Sequence, residues 1–388
     1  MKLKLRLGFN NCVKLELLLV GMIVIFTIFG AYSLVSLCFT MSFIVLLIYT
    51  GYRVSKGKFS IQTLLVVVFA ALNVVINAMV SSGSSLGFDY FKKVIMFISF
   101  VLFLYYSYTD SVSGKVAEIT LYTPCAAGVL LIISYFLLGN TATYARGITL
   151  GFTNPNFTGM WLLHIAIYMF LVIIDAAQKP LLRIAMGGCF IAITWLIVLT
   201  LARSCLFGLI FFLALCLLKK FFRLDLLKNK IFLIVVILIP LLFVFSYYYL
   251  IRSSWFLNTF SFLVSEGKPL TSRTVVWSPA IESLKSNFLL GDYYGISNGT
   301  GSSQMHNTHL DVLCSYGIIT FGLFLGSLYS ACVRSEKFSS DFRNYCALAG
   351  FLSIVIMGTF EAGIVAGAMG LNFLTGGLLI IANSKAKK

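Results

Sequence analysis

Runs of about 20 mostly apolar residues follow one another along this chain, with little between them but short basic hinges, and that succession decides what it can fold into. The stretch from Ile231 to Ile251 carries no charged side chain at all. A helix packed on a water-soluble core keeps one polar face, whereas these runs are apolar all the way round. They are also continuous rather than alternating, which favours bilayer-crossing helices over a membrane barrel. Composition agrees: 60% of the 388 residues are apolar and 11% charged, with a mean hydropathy of +0.97. Globular proteins average about 45–50% and about 25%.

The expected fold is therefore all-α, a polytopic integral membrane protein of about 12 transmembrane helices in a single domain, 1–388. The runs place spans near 15–31, 33–51, 61–80, 91–108, 119–138, 156–175, 184–202, 204–218, 231–251, 310–332, 345–360 and 370–383. Gly30 and Ser33 are the one turn signal between the first two, which otherwise read as one long helix. The 184–218 stretch also fits a re-entrant pair. Between Ile251 and Leu310 the apolar pattern breaks, giving one large loop, 252–309. Inside it, Thr271-Ser272 offers a helix cap, and Val276, Ala280, Leu284 and Phe288 then share a face, the pattern of a short helix lying on the membrane surface. Pro279 is a candidate kink, and Gly291, Gly295, Gly299 and Gly301 mark turns beyond it.

The net charge of +16 is spread in small clusters between the apolar runs, which is how a polytopic protein fixes its orientation, and argues against nucleic acid as a partner. With both termini cytoplasmic, 21 of the 29 Lys and Arg residues fall on the inner side, and the large loop falls outside. Met1 to Arg6 is basic and no small-residue cleavage site follows, so the first span is expected to be retained. Nine scattered cysteines, with no C-x-x-C, read as small buried side chains rather than as disulfides or a zinc site.

Three outward-facing arginines run against the charge bias: Arg146 in Tyr144-Ala145-Arg146-Gly147, Arg203 between two apolar runs, and Arg273 at the start of the loop helix. One reason for them is snorkelling to lipid headgroups. The other is phosphate, which a guanidinium binds with a rigid two-pronged fork. His306 and Asn307 stand just before the next span. A histidine there can exchange a proton near neutral pH, and the amide can orient it or hold a sugar hydroxyl. His309 is a candidate ligand contact, and His164, inside a span, a helix-packing residue. Asn154 and Asn156, around Pro155, read equally as a helix cap or as sugar-binding amides. The expected outer segments hold only Asp89, Glu266, Glu282, Asp292, Asp311 and Glu361 as acids, without a D-x-D, which disfavours a divalent metal. No phosphate-binding or dinucleotide loop is present.

These segments together resemble the O-antigen ligase and polysaccharide polymerase superfamily of bacterial membrane glycosyltransferases. The resemblance rests on Gly151-Phe152-Thr153-Asn154-Pro155-Asn156, on Leu199-Thr200-Leu201-Ala202-Arg203-Ser204, on Ser272-Arg273-Thr274 with Trp277, and on His306-Asn307-Thr308-His309-Leu310 followed by Tyr316-Gly317-Ile318. Ala202 departs from the family pattern, where a serine often precedes the arginine. The resemblance implies a metal-independent, inverting glycosyltransferase with no cofactor, in the bacterial cytoplasmic membrane with its active face extracytoplasmic. Its substrates would be an undecaprenyl-diphosphate-linked oligosaccharide and a growing glycan acceptor, with a flippase and a chain-length regulator as partners. His306, Arg273 and Arg203 would be catalytic, with Arg146, Asn154, Asn156, Asn307 and His309 binding substrate. A repeat-unit polymerase is the first expectation and a ligase acting on another acceptor the second. A lipid-linked oligosaccharide transporter is the alternative of a different class.

Overall fold

The computed structural model describes residues 8–58, 60–80, 88–138, 147–250, 253, 255, 269–291, 305–361 and 369–384. Among these every regular element is a helix. In chain order they are α1 (Phe9–Ile28), α2 (Tyr32–Ser55), α3 (Ile61–Val80), α4 (Phe88–Thr109), α5 (Gly114–Leu138), α6 (Pro155–Asp175), α7 (Pro180–Leu199), α8 (Arg203–Phe222), a short 3₁₀ turn (Leu226–Lys228), α9 (Lys230–Leu250), α10 (Pro269–Asn287), α11 (Thr308–Glu336), α12 (Phe342–Met357) and α13 (Met369–Ala382). Eight of them, α1, α2, α5 to α9 and α11, are long and apolar enough to cross a membrane. Shorter apolar stretches lie in α3, α4, α12 and α13. The chain is thus built as a polytopic membrane protein. The first two runs are separate helices, turned at Gly30 with its φ of +69°. The 184–218 stretch is likewise two 20-residue helices joined by a tight turn.

Burial sorts the helices into centre and rim. On α6 and α12 most side chains are enclosed, Trp161, Tyr168, Tyr345 and Phe351 among the largest. On α7 a stripe at helical spacing points outward instead: Ile184, Ile191 and Trp195 are 73%, 70% and 58% exposed. A stripe of that kind is costly in water and neutral in hydrocarbon, where lipid tails are as apolar as the side chains they meet.

Helix α11 carries the main departure from expectation. Gly317, at φ 74° and ψ 176°, breaks it into 308–316 and 318–336. In an unbroken helix His309 and Phe324 would be about 22 Å apart at about 1.5 Å per residue. Their rings instead lie 5.8 Å apart, and Phe321 is as close, so the chain folds back at the glycine. Segment 318–336 alone spans about 28 Å, near the thickness of a bilayer core. Segment 308–316 is a short helix packed over it.

Helix α10 runs alongside that short segment. The Trp277 indole donates to the Met305 carbonyl at 2.7 Å, Cys314 reaches the Ala280 carbonyl, and the Ile318 amide donates to the Phe288 carbonyl at 2.9 Å. The helix begins at Pro269, two residues before the expected cap. Its buried face is Val276, Trp277, Ala280, Ile281 and Leu284, while Phe288 is exposed rather than part of it. At the far end, backbone meets backbone: a Cβ on Gly317 would stand 2.1 Å from the Leu289 carbonyl oxygen, and one on Gly291 2.6 Å from that of Cys314. The short segment is also tied to α4, through the buried ion pair Lys93–Asp311 at 2.8 Å and the stacking of Phe97 on Tyr316.

Candidate functional site

Five elements bring their ends together at one end of the bundle. The Thr308 amide donates to the Gly358 carbonyl, joining the start of α11 to the end of α12. The Ile148 amide donates to Leu199, which places the turn before α6 beside the end of α7 and hence the start of α8. Helix α10 lies over this junction. Basic side chains gather at the opposite end, where Arg53 pairs with Asp110 and Arg343 with Asp175.

Glu361, just past α12, is the centre of the cluster. Its side chain is 7% exposed. Oε1 accepts from the Asn156 amide at 2.9 Å and from Arg273 Nη2 at 3.3 Å, and Oε2 stands 3.7 Å from His306 Nδ1. Its backbone carbonyl accepts from the Thr308 hydroxyl at 2.9 Å. Asn156, Arg273 and His306 come from three separate parts of the chain and meet on this one carboxylate. Sequence reading counted Glu361 only as one acid among few. The signal was there: an ionisable residue immediately after an apolar run, on the same expected side as the arginines.

Arg273 is held for more than one contact. Nη2 also donates to the Phe360 carbonyl at 2.9 Å, and the guanidinium lies 5.6 Å from the Phe360 ring centre. Burial lowers its proton affinity from the ordinary arginine value while Glu361 works in the opposite direction, and the group stays charged. Both of its hydrogen bonds among the described residues use Nη2. His306 is 42% exposed at its side chain and has a left-handed backbone, φ 48°. Leu150 and Leu201, in the turns before α6 and α8, share that strained region at φ 49° and 57°. Such residues cost about 1–3 kcal/mol each and gather at functional sites.

Arg203 is the first residue of α8 and is exposed, with no hydrogen bond or ion pair among the described residues. It stands one helical turn before Phe207, whose ring meets that of Phe360 at 6.3 Å, the same ring that lies under Arg273. Among the described residues no side chain caps the first turn of α8, so its leading N–H groups and the guanidinium present positive charge together. That combination attracts anions.

The remaining candidates divide. Asn154 caps α6, accepting from the Phe157 amide at 2.8 Å. Asn307 is fully buried and fully used: Oδ1 caps α11 at the Leu310 amide, while Nδ2 donates to the carbonyls of Pro240 and Thr359. It clamps three helices together and has no donor left for a sugar. His309 faces the interior against Phe321 and Phe324, away from the cluster, because the fold-back at Gly317 turns it inward. His164 is the packing residue expected, bonded to the Met160 carbonyl and the Thr375 hydroxyl. Arg146 lies outside the described residues, as do Gly295, Gly299 and Gly301. Among the described residues no group of three or more His, Cys, Asp or Glu is placed to hold a metal.

Fold and site define a helical membrane protein in which Arg273, His306 and Asn156 meet on Glu361 at one end of the bundle. No protein-family model matches the chain, and no curated protein matches it.

Proposed function

We propose that this protein is a membrane polysaccharide polymerase that joins undecaprenyl-diphosphate-linked oligosaccharide repeat units on the outer face of the bacterial cytoplasmic membrane. The observation that carries the reading is the convergence of Arg273, His306 and Asn156 on Glu361, beside Arg203. The resemblance of the same segments to the O-antigen ligase and polymerase superfamily supplies the substrate class. On this reading the described helices belong to a bundle of about 12 spans with both termini cytoplasmic, and the cluster is extracytoplasmic.

The chemistry follows from the charges. As the bond between the anomeric carbon and the lipid diphosphate stretches, negative charge grows on the leaving oxygen and positive charge on the sugar. Arg203 and Arg273 hold the diphosphate, in the place a divalent metal takes elsewhere. One well-placed donor of this kind is worth about 3–4 kcal/mol in the transition state. His306 takes the proton of the acceptor hydroxyl as its oxygen bonds to the anomeric carbon, and lipid diphosphate leaves from the opposite side. Glu361 orients the ring and stabilises the imidazolium that forms, adding to a general-base effect of about 10²–10⁴ in rate. Asn156 fixes Glu361 in turn.

Purified protein given a lipid-linked repeat unit tests the reading, with products separated by size. A ladder of chain lengths is expected. A single transfer to another acceptor would make the enzyme a ligase, and unchanged substrate that binds and crosses the membrane would make it a transporter.

A further inference from the structure

The stretch 305–308, which carries His306, is held on both sides by buried groups that the chemistry above does not use. Met305 is fully enclosed. Its carbonyl accepts from the Trp277 indole at 2.7 Å, and its amide donates to Asp311 Oδ1 at 3.1 Å. On the other side of His306, the Asn307 side-chain amide donates to the carbonyls of Pro240 and Thr359, and the Thr308 amide donates to that of Gly358. The neighbours of His306 are thus tied to α9, α10, α11 and the end of α12, while its own ring stays partly exposed. His306 itself is left-handed, at φ 48°. A backbone in that region persists only where its surroundings over-determine it, and these ties do so.

Of the groups that make the ties, Asp311 alone is charged. Its side chain and that of Lys93 are 1% and 6% exposed, and Lys93 Nζ donates to the same Oδ1 that takes the Met305 amide. A buried ion pair often gives no more stability than an apolar pair of similar size. Holding α4 against α11 is therefore no sufficient reason for this one. An apolar pair, however, would leave the enclosed Met305 amide without its acceptor, and a buried amide in that state favours a backbone that opens to water. The residue released would be the one before His306.

We propose, on the reading of His306 as the base, that Asp311 is its positioning residue, with Lys93 as counter-charge. Asp311 fixes the Met305 amide, Trp277 fixes the Met305 carbonyl, and the left-handed turn that follows presents the imidazole to Glu361. Lys93 acts through Asp311, by keeping an ionised acceptor in an enclosed place.

Two paired replacements in the purified full chain separate this role from packing. Lys93→Gln with Asp311→Asn removes both charges and keeps an oxygen for the Met305 amide. Lys93→Met with Asp311→Leu removes both charges and the oxygen. Each is compared with the parent at equal amounts of folded protein. With a lipid-linked repeat unit, the amide pair keeps kcat within about threefold of the parent, whereas the apolar pair loses about tenfold or more in kcat at a nearly unchanged KM. A second readout needs no substrate: carbethoxylation by diethyl pyrocarbonate, located by mass spectrometry. Of the three histidines His164 and His309 are buried, so the folded protein reacts at His306. In the apolar pair the ring, released from Glu361, reacts about fivefold faster or more, in step with the local opening that loss of one hydrogen bond allows, and in the amide pair it reacts as in the parent. Equal carbethoxylation in the two pairs overturns the proposal, whether both match the parent or both exceed it. So does an equal kcat in the two pairs when the parent polymerises. A parent that makes no polymer refutes the polymerase reading alone, and carbethoxylation still decides the positioning. If the apolar pair does not fold, Trp277→Phe takes its place by releasing the Met305 carbonyl, and unchanged carbethoxylation there overturns the proposal.

Discussion

The Arg273–Glu361 contact is the point at which the account is most exposed, and its strength can be worked out. The two side chains are 18% and 7% exposed, and their nearest atoms are 3.3 Å apart. Removing one partner of a fully buried ion pair costs about 3–5 kcal/mol. Here the contact is long, the guanidinium is partly solvated, and Arg273 keeps its 2.9 Å bond to the Phe360 carbonyl. A hydrogen bond to a charged group contributes about 1.5–3 kcal/mol, and the long distance puts this one at the lower end. Glu361→Gln keeps an acceptor for Asn156 while deleting the charge, and Arg273→Gln deletes the other. In a double-mutant cycle the interaction energy should be about 1.5 kcal/mol, with Glu361→Gln alone costing about 2 kcal/mol. Unfolding in mixed micelles can be followed by tryptophan fluorescence in a background where Trp161, Trp195 and Trp255 are Phe, leaving Trp277, one turn along the same helix and buried against Met305, as the reporter. An interaction energy below about 0.5 kcal/mol would show that the carboxylate does not hold the guanidinium, and the site as built would fail.

Three further outcomes are expected. Gly317→Ala should leave little folded protein in size-exclusion chromatography, because its methyl group would collide with the Leu289 backbone, whereas Gly322→Ala, which meets nothing within 4 Å, should behave as the parent. Lys93→Met removes the charge partner of Asp311 and should destabilise the protein by about 3 kcal/mol or more in the same unfolding assay; adding Asp311→Leu should recover only part of that loss, because the Met305 amide then loses its acceptor. Trp277→Phe removes the bond to the Met305 carbonyl and should cost about 1–2 kcal/mol, read as faster proteolysis between α10 and α11.

The helices were legible because hydrophobic length is a property of the chain itself. The runs near 156–175 and 231–251 became α6 and α9 within a residue or two. The break in α11 was not legible in that way. Gly317 sits in an apolar stretch that reads as uninterrupted, and what demands a glycine there is the backbone of Leu289, distant in sequence. The same limit explains the site. Arg273 was visible as a cation opening the loop helix, and His306 as an ionisable residue just before an apolar run. Glu361 was visible too, but its role depends on three partners that only tertiary packing supplies. The places that Asn307 and His309 take in the fold were hidden for one reason. A polar side chain next to a candidate base reads the same in sequence whether it faces the ligand, caps a helix or packs inward.

The most direct test is turnover of a lipid-linked repeat unit by Arg203→Ala, Arg273→Ala and His306→Ala proteins, each compared with the parent at equal amounts of folded protein in the membrane. Polymer should disappear in all three, with loss of at least about a hundredfold in rate for His306→Ala. Undiminished polymer from the His306 variant would contradict the proposed chemistry outright.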